Sequence, residues 1–222
     1  MTGSFTSPPE IENLGELLVR LGNIAPERIR FNPPPGTATV EDVLSIERRE
    51  NRLCELVDGV LVEKVMGYAE SWIAAIIANA LNGFVLPRDL GAVTGPDGMI
   101  RFPNNLVRMP DVAFAFWHRF PDGKLPDEGA PEIVPDLAVE VLSKGNTTAE
   151  MQRKLHEYFA AGVQLVWFVD PKSRKVTVYR TLTQAKVVAE DGVLDGGKVL
   201  PGFKLPVASL FAKLKAARRK RR

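Results

Sequence analysis

The sequence predicts an α/β (α+β) fold, a β-sheet core with helices packed on it. Three stretches predict it. The run 135–143, Pro-Asp-Leu-Ala-Val-Glu-Val-Leu-Ser, is short, apolar and partly β-branched, and it stops at Lys144-Gly145-Asn146. That pattern describes a buried central strand. Residues 69–85 place Trp72, Ile73, Ile76, Ile77, Ala80, Leu81 and Phe84 on one wide stripe, which predicts a core helix lying on the sheet. A second buried run, 164–169, follows the helix-patterned segment 151–161, so strand, helix and strand succeed one another.

Taken in order, residues 1–9 hold no periodic pattern and read as disordered. Ile11, Leu14, Leu17, Leu18 and Leu21 recur at helical spacing, with Gly22 as the stop. Asn32-Pro33-Pro34-Pro35-Gly36 is a stiff linker, because three prolines forbid regular pairing. Thr39 caps a second helix, with Asp42 in its first turn. Asp58-Gly59 sits between the runs 53–57 and 60–64, the strongest short hairpin signal. A two-residue turn there pairs Val57 with Val60 and Glu55 with Val62. The aromatic residues of 69–85 read as core.

Beyond that helix, Gly95-Pro96-Asp97-Gly98 joins two further strands, the second spanning 107–116. The loop 121–135 is rich in Pro, Gly and acids and is expected to flank the site. Thr147-Thr148-Ala149-Glu150 matches a capping box. In the helix that follows, Met151, Leu155 and Phe159 point inward and Lys154 lies on the flank. Residues 175–180 read as a hairpin partner of 164–169. Residues 184–200 read as peripheral strands and 207–222 as an amphipathic helix.

Bulk properties narrow the chemistry. The single cysteine, Cys54, excludes an internal disulfide and fits a reducing, cytoplasmic setting. Two histidines and one cysteine exclude a Cys/His zinc site. A metal would have to be a hard ion on carboxylates, Mg²⁺ or Mn²⁺. No unbroken run of 18 apolar residues exists, so no membrane span is expected, and the N-terminus lacks a signal-peptide pattern. Residues 213–222 carry seven basic and no acidic side chains against a chain total of +2, so the remaining body is acidic. Such a tail either touches nucleic acid or is a solvated helix end. The organisation expected is an arm and linker (1–36), a main domain (37–210) and a basic tail (211–222).

Three carboxylates stand where apolar residues belong. Glu140 shares a strand face with Ala138 and Leu142, opposite Leu137, Val139 and Val141. An ionised carboxylate buried alone costs several kcal/mol, so it needs a partner, often a metal; the alternative is an edge strand with Glu140 in water. Glu55 shares a face with Leu53, Val57, Val60 and Val62, unless a slipped register turns it outward. Asp111 shares a face with Ala113 and Ala115, where small side chains leave room. Acids on separate strands can converge on one hard cation, and Lys154 follows on the next helix.

These residues carry a resemblance. Glu-Leu-Val-Asp-Gly (55–59), Pro-Asp-Val (110–112), Pro-Asp-Leu-Ala-Val-Glu-Val-Leu-Ser (135–143), the Lys154 to Tyr158 segment, Ala161-Gly162-Val163 and Trp-Phe-Val-Asp-Pro (167–171) together resemble the Uma-two family. Those are restriction-endonuclease-like proteins of the PD-(D/E)XK nuclease superfamily. The resemblance spans about residues 38–210. It implies a restriction-endonuclease-like mixed central β-sheet flanked by helices, and a magnesium-dependent phosphodiesterase site. On this basis Asp111 and Glu140 are the motif acids, Glu55 an upstream acid, and all three are metal ligands. Lys154 replaces the motif lysine, since Leu142 stands two residues after Glu140. Glu150 reads as a cap, although the family often has an aspartate there.

The function expected is a metal-dependent endonuclease on DNA, with Asp111, Glu140, Lys154 and Glu55 as the catalytic set and Mg²⁺ or Mn²⁺ as cofactor. A homodimer would supply two sites for two strands. The alternative is a nuclease fold without catalysis that binds nucleic acid or serves assembly. Leu142 and the acidic body motivate it, because phosphate contacts favour a basic groove, and Arg101, Arg108, Arg119 and Lys124 offer only a thin one.

Overall fold

The computed structural model describes residues 11–127 and 129–214. The expectations for residues 1–9 and for most of the basic tail lie outside them. The elements are α1 (Leu14–Arg20), α2 (Val40–Glu50), β1 (Cys54–Val57), β2 (Val60–Glu63), α3 (Tyr68–Val85), β3 (Gly91–Thr94), β4 (Ile100–Phe102), β5 (Leu106–Arg108) and β6 (Val112–Phe116). They continue with β7 (Leu137–Val141), α4 (Thr148–Ala161), β8 (Leu165–Asp170), β9 (Lys175–Tyr179), β10 (Ala185–Val188), β11 (Val193–Gly196), β12 (Leu200–Pro206) and α5 (Val207–Phe211).

A six-stranded sheet, ordered β10-β9-β8-β7-β6-β3, forms the centre. Only β7 and β8 run parallel, joined through α4, so the sheet is mixed. Alternation sorts its residues as the sequence predicts. Leu137, Val139 and Val141 pack with Val112, Phe114 and Trp167 against Ile73, Ile77 and Leu81 of α3. Ala113, Ala138, Val166 and Phe168 face Met151, Leu155 and Tyr158 of α4. Because β7 lies between β6 and β8, the edge-strand alternative for Glu140 is excluded.

A second sheet, ordered β2-β1-β5-β4, builds the other half of the site. The hairpin registers as predicted, Val57 with Val60 and Glu55 with Val62. Asp58 and Gly59 both take positive φ, 50° and 71°. Gly59 is also required by proximity, because a Cβ there would stand 2.6 Å from the Gly36 backbone. The linker thus docks on the turn, with Gly36 and Ala38 N–H both donating to the Gly59 carbonyl at 2.9 Å. Thr39 and Asp42 form a full capping box at the start of α2.

Several expectations are corrected. The strand expected over 107–116 is two strands in different sheets, β5 and β6. Pro110 has no N–H to continue a ladder, and the chain crosses between sheets at Met109-Pro110-Asp111. Trp72 is not core: it is 47% exposed and Tyr68 is 92% exposed, while Ile73, Ala74, Ile77, Leu81 and Val85 are buried. The segment Tyr68–Arg88 is long and apolar enough to cross a membrane by length and composition, although Glu70, Asn79 and Asn82 interrupt its apolar run. Here it lays one face on the sheet, as a core helix does. Leu17, Leu21, Ile24 and Ile29 of the arm pack on Val57, Val60 and Val62 of the hairpin.

Candidate active site

The carboxylates converge. Asp111 is the residue before β6, and its N–H donates to Val139 O at 2.9 Å, beside the centre of β7. Glu140 projects from β7, Glu55 from β1 and Lys154 from α4. Glu55, Asp111, Glu140 and Lys154 border one cavity of about 20 Å³, room for about one water-sized guest. None of the four is more than 5% exposed.

Each acid has a cationic partner. Lys154 Nζ bridges Glu55 Oε1 at 3.0 Å and Glu140 Oε1 at 3.1 Å. Tyr158, one turn further along α4, donates its hydroxyl to the same Glu140 oxygen. Asp111 Oδ2 accepts from Val141 N–H at 2.7 Å, and Oδ1 pairs with Lys64 Nζ at 2.8 Å. Lys64 also donates to the Met109 carbonyl. Behind them, Arg108 spans Glu55 at 2.7 Å and Glu157 at 2.8 Å.

The electrostatics follow from burial and charge. Burial alone would raise the Glu55 pKa, but Lys154 and Arg108 override it and hold the group below the usual carboxylate range. Glu140 is raised, first by burial and then by Asp111 and Glu55, which outweigh the pull of Lys154. Burial would lower the Lys154 pKa, but Glu140 and Glu55 outweigh it and raise it, so the ammonium stays charged. Burial, then the charges of Glu140 and Glu55, push the Tyr158 phenol well above 10.

Glu55 does not fit the metal-ligand role expected of it. Its Oε1 accepts from Lys154 and from Met109 N–H at 3.2 Å, and its Oε2 accepts from Arg108. Two cations and an amide saturate it. Among the described residues, no three Asp, Glu, His or Cys side chains are arranged to hold an ion by themselves. The expected three-carboxylate cage is therefore not built. Asp111 and Glu140 remain, one just before β6 and one on the antiparallel β7, with no donor to Glu140 Oε2 among the described residues.

Other expectations change too. Glu150 takes the Thr147 cap through its N–H at 2.9 Å, but its carboxylate does not return to close the box. It accepts instead from Arg28 at 2.7 Å and Asn146 at 3.0 Å. The described residues of the loop 121–135 do not border the cavity. Of the four basic residues expected near the site, Arg108 alone bonds to the cluster. Arg101 pairs with Glu132, and Arg119 with Asp136. His118 stacks on Phe116 and His156 is exposed; neither borders the cavity. Cys54 is core, its thiol pushed up to about 11 by burial.

Sequence reasoning missed Lys64, Tyr158 and Arg28. Tyr158 was findable, since it stands four residues after Lys154 on one helix face. Lys64 and Arg28 break no apolar pattern, and nothing local marks them.

A mixed sheet with helices on both faces, and with acids and a lysine gathered where its central strands meet a second sheet, defines a restriction-endonuclease-like protein. The family model Uma2, described as "Putative restriction endonuclease", matches residues 40–208. The chain belongs to that family. A crystal structure of "a putative nuclease belonging to DUF820" from Anabaena variabilis is similar in fold, with a TM-score of 0.65 and 22% identity over 72% of this chain and 90% of that one. No curated protein matches the chain.

Proposed function

We propose that this protein is a divalent-metal-dependent endonuclease that hydrolyses DNA phosphodiester bonds. One observation carries the reading: Asp111, immediately before β6, and Glu140, on the adjacent antiparallel β7, border a water-sized cavity with a lysine from the next helix. Mg²⁺ habitually takes one or two carboxylates plus waters and substrate phosphate rather than a full protein cage, so this pair suits it, or Mn²⁺. Bound there, such an ion lowers the pKa of water and stabilises charge on the phosphate.

The chain's own residues supply the rest. Lys154 stays protonated and places positive charge beside Glu140, where a phosphate oxygen gains charge during attack. Tyr158 fixes the Glu140 rotamer through its hydroxyl. Glu55 is a positioning residue, anchoring Lys154 and Arg108 so that neither swings out of the site. Incubation with Mg²⁺ or Mn²⁺ on plasmid and single-stranded DNA tests the reading. Metal-dependent cleavage that Glu140→Gln abolishes is expected. No cleavage with either ion, or full activity in Glu140→Ala, would sink it.

A second reading has its own observation. Lys64, Lys154 and Arg108 neutralise the three acids internally, so the cluster is satisfied as a charge network. A non-catalytic module of the same fold would then bind nucleic acid without metal. Calorimetry showing no Mn²⁺ uptake, with salt-dependent DNA binding that needs residues 213–222, would favour it.

A further inference from the structure

The arm before residue 40 lies outside the span matched by the family model, yet it delivers a cation to the cavity. Arg28 borders the same space as Asp111, Glu140 and Lys154. We propose that Arg28 is a substrate-binding residue, its guanidinium taking a non-bridging oxygen of the nucleic-acid phosphate at the cavity. This rests on the nuclease reading above and adds to it a phosphate contact contributed by this chain's arm.

The geometry is built rather than incidental. Arg28 Nε donates to the Glu63 carbonyl at 3.0 Å and Nη1 to Glu150 Oε1 at 2.7 Å. Two acceptors on different elements fix the plane of the guanidinium. Glu150 is itself held by Asn146 and is 4% exposed. Nη2 has no acceptor among the described residues. The segment carrying Arg28 is pinned at both ends. Ile29 bridges to Val62. Gly22 receives the Thr147 hydroxyl on its carbonyl and approaches α4 so closely that a Cβ would stand 2.5 Å from Glu150 N.

The chemistry also needs a cation here. Glu55, Glu70, Asp111 and Glu140 all border the cavity, against Arg28, Lys64 and Lys154. Lys64 and Lys154 are committed to carboxylates at 2.8–3.1 Å. An incoming phosphodiester therefore meets acids whose lysines each have two of three donors already spent. Arg28, although paired with Glu150, keeps its whole Nη2 without an acceptor among the described residues, and a planar guanidinium is suited to phosphate oxygens.

Arg28→Ala, Arg28→Lys and Glu150→Gln would be compared with the wild type and with Arg101→Ala, a control outside the cavity. The measurements are DNA affinity over a salt series, kcat and KM for cleavage, Mn²⁺ affinity by calorimetry and thermal melting. Arg28→Ala should raise KM about tenfold or more and reduce the slope of log affinity on log salt by about one. Mn²⁺ affinity should hold, and Arg28→Lys should recover part of the loss. A purely structural ion pair would lower melting equally in Arg28→Ala and Glu150→Gln while leaving the salt slope and KM unchanged, and that result would overturn the proposal. If Arg28→Ala fails to fold, an unchanged salt slope and KM in Arg28→Lys overturns it alone. Wild-type protein that binds no DNA removes the parent reading, and this one with it.

Discussion

Two Pro-Asp steps open neighbouring antiparallel strands, and they have opposite fates. Pro110-Asp111 leads into β6 and Pro135-Asp136 into β7. Because the strands are antiparallel, the two aspartates sit at opposite ends of the pair. Asp136 is fully buried and closed. It accepts from Phe116 N–H at 3.0 Å, Arg119 at 2.8 Å and Gln164 at 2.8 Å. Asp111 accepts one amide and one lysine and faces a cavity. The same dipeptide is thus an anchor at one end of the sheet and a candidate ligand at the other. The number of donors around a buried acid, not its motif, separates the two roles.

The comparison can be broken most sharply through activity. Asp111→Asn should cut metal-dependent cleavage by at least about a hundredfold, with the fold retained by circular dichroism. Asp136→Asn should spare the site's Mn²⁺ affinity. Equal losses from both would erase the distinction. Next in size is stability. Asp136→Ala leaves Arg119 and Gln164 facing a hole, and denaturant unfolding should show a loss of about 3–5 kcal/mol. A loss below 1 kcal/mol would mean that the anchor is not one.

Lys64 offers a finer test. It competes for Asp111 with any ion, so Lys64→Met should tighten Mn²⁺ binding several-fold by calorimetry. Weaker binding would show that Lys64 organises the ligand rather than competing for it.

The smallest effect is on pH. Glu140 is raised above its ordinary 4.5 by burial and by Asp111, so the folded protein holds that proton longer than the unfolded chain. Its contribution is full below pH 4.5 and is lost as pH rises through the folded value. Glu55, held low, acts in the opposite sense: its contribution is present above 4.5 and lost as pH falls below it. An ion between Asp111 and Glu140 removes the cost of ionising Glu140. Mn²⁺ should therefore raise the melting temperature more at pH 8 than at pH 5. An equal rise at both would place the ion elsewhere.

Much of the site was legible because its residues violate patterns. Glu55, Asp111 and Glu140 each interrupt an apolar or small-residue strand face, and Lys154 stands on the flank of the inward stripe of the next helix. Their convergence was expected from acids on separate strands, and all four border one cavity. The role of Glu55 was not legible. Its three donors come from β5, the Met109 turn and α4, and no single stretch contains them. Pro110 did signal the break in 107–116, since proline inside a run argues against a continuous strand. Trp72 shows the reverse limit: helical spacing names a wide stripe, but only packing decides how much of it is covered.

Local chemistry by itself determined most of the strands and helices and the hairpin turn of this protein, because side-chain alternation and backbone preference act over a few residues. It also marked the acids, since a charge in an apolar run is visible within that run. Only the tertiary structure decided which cation meets which acid, that Asp111 opens on a cavity while Asp136 does not, and that the arm brings Arg28 to the same place. Coulomb energy depends on separation and burial, and both are set when distant segments are folded together.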